Sequence, residues 1–177
     1  MNTEAVLQQI SDQHDGELFI EDGKVSSGMG SFFHYLQYYL RIPHNNATIH
    51  IFYDNGISAT VNFNIEIDNL FNVSEFQLET ISHFTKLILF KKYNWKVTCK
   101  DLYLNREIEK LLQKHTLDQL ILNTGFEPNM KGLLTKTAYK IHTVYSLTFE
   151  PNVTSMYPIV EFHKELIDIL KERYKRF

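Results

Sequence analysis

One cysteine, four prolines and seven glycines in 177 residues exclude several classes of protein at once. The lone Cys99 cannot close an internal disulfide, so no oxidised framework holds the chain together. No run approaches the roughly 20 apolar residues that a membrane-spanning helix needs. The opening stretch MNTEAVLQQISDQHDG has neither the basic segment nor the apolar core of a secretory leader. Basic residues are also in deficit: 18 Lys and Arg stand against 21 Asp and Glu, for a net charge of -3, which supplies no general attraction to phosphate backbones. These absences point away from membranes and nucleic acids and toward a cytoplasmic protein.

What the chain does have is apolar material. It is 44% hydrophobic, with 13 Phe, 10 Tyr and one Trp, enough to build one core over a single domain, 1–177, without metals or cofactors. Thr3–Gln13 reads as a short helix, with Val6 and Ile10 at helical spacing, loosely attached within residues 1–15. GELFIEDGKV has the form of a strand, an Asp22-Gly23 turn and a second strand. SFFHYLQYYLRIP, rich in aromatics, leans toward strand over helix and is closed by the turn Pro43-His44-Asn45-Asn46.

Farther along, ATIHIFYDNGISATVNFNIEID places Asn55-Gly56 between two runs of β-formers and predicts a hairpin. In its second arm Val61, Phe63, Ile65 and Ile67 share one face, while Thr60, Asn62, Asn64, Glu66 and Asp68 share the other, so the sheet is half exposed. Ser74-x-x-Gln77, flanked by Val73 and Leu78, has the pattern of a capping box with a hydrophobic staple and predicts a helix to about Phe90. A strand at NWKVTCK, a helix over Asn105 to Lys114, and a second capping box at Thr116-x-x-Gln119 leading to a short helix follow. A strand from Tyr139 to Phe149 and a long helix from Ser155 to Tyr174 complete the chain. The expected fold is α+β: antiparallel hairpins or a meander in the N-terminal half, a β-α-β-β-α-like C-terminal half, and helices packed on one face of the sheet.

Motifs with chemical potential are sparse. FEPN occurs twice, ending at Asn129 and Asn152, and could pair Glu127 with Glu150 as acid and base. Glu-Pro-Asn is turn chemistry, however, and the turn reading is preferred. Gly28-x-Gly30 among Ser26, Ser27 and Ser31 lacks the further glycines or the Gly-Lys-Ser ending of a phosphate cradle. Among eight histidines, His44 and His50 with Asp54 form the best metal candidate, because His50 and Asp54 fall on one face of a strand. On the last helix, Glu161, His163 and Glu165 read as a solvated face, and Lys164 with Asp168 as an exposed i,i+4 pair. Cys99 reads as a buried thiol rather than a nucleophile.

The expectation is a binding domain acting through protein contacts, or self-association as a homodimer, on a half-exposed sheet. Its candidate contact residues are Gly28, Gly30, His34, Tyr35 and Tyr38. Two alternatives stand beside it: a small-molecule enzyme using a His or Glu near the Gly28-Gly30 loop, and an acidic inhibitor that covers a basic partner with Glu66, Asp68 and Glu75.

Overall fold

The computed structural model describes residues 3–26, 30, 32–54, 60–81, 83–88, 93, 95–117, 129–146 and 153–175. Among them are eight strands: β1 (Glu17–Ser26), β2 (Phe32–His44), β3 (Ala47–Asp54), β4 (Thr60–Asp68), β5 (Phe76–Thr80), β6 (Trp95–Cys99), β7 (Asn129–Leu134) and β8 (Ala138–Ser146). Four helices accompany them: α1 (Thr3–Gln13), α2 (His83–Ile88), α3 (Leu102–Lys114) and α4 (Met156–Tyr174). All strands join one antiparallel sheet in the order β1-β2-β3-β4-β8-β7-β5-β6. The first four strands form a meander, and β8 carries the sheet on from β4 into the C-terminal half.

Cross-strand register makes the two faces of the sheet chemically distinct. One row of directly opposed residues runs Leu18, Leu40, Ile51, Phe63, Thr143, Met130, Leu78, Val97 through every strand. Seven of these eight are buried, with Leu18 half-buried. The neighbouring row, pointing the other way, is Glu17, Arg41, His50, Asn64, His142, Lys131, Gln77, Thr98, and every member is polar. Period-two side-chain alternation in a sheet covered on one side produces this contrast. The apolar face packs on α1 (Val6, Leu7, Ile10), α3 (Leu104, Ile108, Leu111, Leu112) and α4 (Val160, Phe162, Leu166, Ile167, Leu170), all buried.

Helix α1 is therefore part of the core rather than a loose appendage. Helix α3 starts three residues before the expected Asn105, because Asp101 accepts from the amides of Tyr103 and Leu104 and caps it. Helix α4 begins after Ser155 and accommodates Pro158 in its first turn, as its sequence suggests.

Two local expectations fail. Asp22-Gly23 makes no turn: β1 runs through it, and the chain reverses between Ser26 and Phe32. Gly23 is needed for room instead, since a Cβ there would stand 2.3 Å from the ring of Tyr35, its cross-strand partner. The two-residue turn of the first half is Asn45-Asn46, both at positive φ (47° and 54°) between the paired His44 and Ala47. The Asn55-Gly56 hairpin does form, but Asp54 pairs with Thr60, leaving a five-residue connection that lies outside the described residues.

The Ser74 capping box is also overridden. Phe76 and Leu78 are buried and Gln77 and Glu79 are not, so the segment is strand β5, paired with both β6 and β7. Two flanking ladders satisfy its backbone, which a cap on one helix end cannot match. Among the described residues of that expected helix, only His83–Ile88 are helical. The Thr116–Gly125 helix falls largely outside the described residues, as do Glu127 and Glu150 of the FEPN repeats.

Candidate functional site

The open face of the sheet is largely polar, and its first three strands carry a row of aromatic rings. Phe19 on β1, Tyr39 on β2 and Phe52 on β3 are directly opposed in register and stack in a row, with ring centroids 5.7 Å apart for Phe19 and Tyr39 and 4.6 Å for Tyr39 and Phe52. Phe19 is 50% exposed and Phe52 46%, so both rings forgo part of the gain that burial would bring. His50, diagonal to Tyr39, stacks on it at 5.8 Å, and the Tyr39 hydroxyl donates to its Nδ1. Partial burial and then the nearby Arg41 hold the His50 pKa below its ordinary value, which favours the neutral ring that accepts this bond.

These rings floor a depression of about 790 Å³ whose rim is set by Glu21, Gln37, Arg41, Asp54 and Asn62. Tyr39 is stacked on both Phe19 and Phe52, while each of these end rings turns only one face to Tyr39. An aromatic row set among polar and charged side chains suits contact with apolar protein side chains.

Charge on this face is segregated. On β1 to β4 the outward-pointing charged side chains are Glu17, Glu21, Asp54, Glu66 and Asp68, against Arg41. On β8, β7, β5 and β6 they are Lys140, Lys131 and Lys96, against Glu79. Arg41 lies 3.6 Å from Glu17, and Lys140 lies 3.1 Å from Glu66 across the seam between the halves. His142 Nδ1 meets Asn64 Oδ1 at 2.6 Å on the same seam.

The residues singled out from sequence are dispersed by the fold. Tyr35 lies on the open face, over Gly23, and donates to Glu21 at 3.0 Å. Tyr38 faces the core, buried and stacked on Tyr53. His34 is exposed near the start of β2, Gly30 has positive φ (76°) with open space around it, and Gly28 lies outside the described residues. The metal trio is not brought together. His50 and Asp54 point to the open face, whereas His44 bonds Asp168 of α4 at 2.9 Å on the helical side. No group of three or more potential ligands occurs among the described residues.

Two further readings of the last helix change. His163 is fully buried rather than solvated: its Nδ1 donates to the Ile159 carbonyl at 2.7 Å and its Nε2 accepts from Thr143 at 3.0 Å. Asp168 is engaged by His44 and Asn45, each at 2.9 Å, while Lys164 approaches His14 and Glu161. Together with Lys171, which donates to the Asn45 carbonyl, these bonds tie the β2–β3 turn to α4 and line a second depression of about 710 Å³. Cys99 is half-buried, and burial raises its thiol pKa, which disfavours the thiolate needed for nucleophilic chemistry.

Phe19, Tyr39, Arg41 and Phe52 were legible only through pairing. Along one strand, residues an odd number apart face opposite ways, so Tyr35 and Tyr38 could never share a surface, whereas Tyr35, Gln37, Tyr39 and Arg41 do. Comparison of the chain with protein-family models, with curated proteins and with solved structures finds no match. No described helix is long and apolar enough to cross a membrane.

Proposed function

We propose that the protein is a binding module that docks a folded protein surface on the open face of its sheet. The observation that carries this reading is the half-exposed ridge Phe19, Tyr39, Phe52, which runs across β1 to β3 within a polar, charge-bearing surface. An aromatic centre with a polar rim is the composition of protein interfaces. Peptide addition to the β1 edge, beside the ridge, is the poorer alternative, because β1 carries Glu17, Glu21, Asp22 and Lys24, charges that discourage strand pairing.

The test compares wild type with a Phe19→Ser, Phe52→Ser double variant by size-exclusion of lysates from the source cells and by denaturant unfolding. Each substitution removes a half-exposed ring and should cost about 1 kcal/mol of stability, leaving the variant folded. The wild-type chain should elute well above the 20.9 kDa of one subunit, and the variant should elute as a monomer. Elution of the wild type at one subunit mass, or co-elution of the two proteins in a larger species, would contradict the proposal.

A further inference from the structure

We infer that helix α2 is a second contact surface, separate from the open face, that lays its apolar stripe on an anionic lipid bilayer. Phe84, Leu87 and Ile88 are 71%, 72% and 56% exposed. Their spacing of i, i+3, i+4 puts them on one side of the helix, and Lys86 falls on the other. No other described element packs extensively against α2. Charge around the stripe is of one sign. Five of the chain's 18 Lys and Arg lie between Ile81 and Lys100, namely Lys86, Lys91, Lys92, Lys96 and Lys100, and none of its 21 Asp and Glu does.

This combination selects a lipid surface over other classes of partner. Protein interfaces are depleted in lysine and set their apolar centres among Tyr, Trp and Arg. A nucleic acid would take the lysines but leave three large apolar side chains in water. Phe, Leu and Ile facing one way, with lysines nearby, is the composition of a helix lying in the plane of a bilayer, its apolar side about 5–10 Å deep and its ammonium groups reaching the headgroups. Such a helix rests on the bilayer without crossing it, so the six residues of α2 suffice. The net charge of -3 does not oppose this attachment, because physiological salt screens charge over about 8 Å. Helix α2 connects β5 to β6 at one edge of the sheet, whereas Glu17 and Glu21 lie on β1 at the other, seven spacings of about 4.8 Å away. Glu79, on the strand that leads into α2, is opposed in register by Lys96.

The test sediments purified full-length protein with vesicles of phosphatidylcholine alone or with about 30% phosphatidylserine, at about 0.1 M salt. Each lysine drawn close to an anionic leaflet multiplies binding by about fivefold, so wild type should bind the anionic vesicles at least about tenfold better and leave them at about 0.5 M salt. Leu87→Ser with Ile88→Ser should weaken binding by about tenfold or more while keeping the wild-type urea midpoint, since both side chains are exposed. Lys86→Glu with Lys96→Glu should weaken it by a similar factor. Phe19→Ser with Phe52→Ser should bind vesicles as wild type does, which separates this surface from the open face. Wild type that ignores anionic vesicles or binds neutral ones equally well would overturn the inference, as would unchanged binding of the Leu87 and Ile88 variant or lost binding of the Phe19 and Phe52 variant. Wild type that ignores vesicles yet cross-links to a protein through position 84 would also overturn it and assign the stripe to that protein.

Discussion

Burial keeps His163 neutral in the fold, and the consequence is a specific dependence of stability on pH. Its imidazole is stacked on Phe63 at 4.8 Å, with no exposed surface, and burial pushes its pKa down to about 4 against the opposing pull of the Ile159 carbonyl. In the unfolded chain the ring regains an ordinary pKa near 6.5, so between about pH 6.5 and 4 the unfolded state binds more protons than the native one. Stability therefore falls as pH falls through that window, and the loss from this one group approaches about 3 kcal/mol. Urea titrations at pH 7 and pH 4.5 should show a wild-type loss that shrinks by about 2 kcal/mol or more in a His163→Gln variant. An equal acid loss in both proteins would mean that His163 does not carry the effect. A single residue also limits packing where β7 crosses β5 and β8. A Cβ on Gly132 would stand 2.3 Å from the Phe76 ring and 2.4 Å from the Tyr139 hydroxyl, itself donating to the Ser74 carbonyl. Gly132→Ala should lower stability by about 1–3 kcal/mol, read as a reduced urea midpoint, and an unchanged midpoint would show that the ring moves aside freely.

At the scale of elements, the sequence is most informative where one periodicity dominates. The β4 pattern, with Val61, Phe63, Ile65 and Ile67 inward and the intervening residues outward, appears in the structure residue for residue. The apolar spacing of α3 and α4 is similarly plain, since Ile108, Leu111 and Leu112 recur at helical intervals and are buried. Local signals misled where tertiary pairing supplies more than they do. Asp22-Gly23 has turn chemistry, but a glycine beneath an aromatic cross-strand neighbour serves equally well inside a strand. Ser74-x-x-Gln77 has helix-capping chemistry, but Phe76 and Leu78 sit two apart and pair with strands on both sides. The candidate site was the least legible part, because Phe19, Tyr39 and Phe52 come from three strands and meet only through register. Their membership in one surface depends on the pairings Phe19 with Tyr39 and Tyr39 with Phe52, and no single segment encodes those.

For the whole molecule, one antiparallel sheet divides the chemistry: α1, α3 and α4 close an apolar core on one side, and a polar surface with one aromatic ridge is left on the other. A second exposed apolar group lies on α2, where Phe84, Leu87 and Ile88 stand in water, so exposure of aromatic carbon alone does not single out the sheet. The sheet is favoured because its ridge is ringed by ordered polar and charged side chains, as a specific interface requires. The most direct measurement of that claim replaces Phe52 or, in a separate protein, Phe84 with a photoreactive phenylalanine analogue and follows covalent adducts after irradiation of the living source cells. Docking on the open face predicts a discrete protein adduct from position 52 that disappears when Phe19 is changed to Ser, and no comparable adduct from position 84. A discrete adduct from position 84 with none from position 52 would contradict the account and move the docking surface to α2.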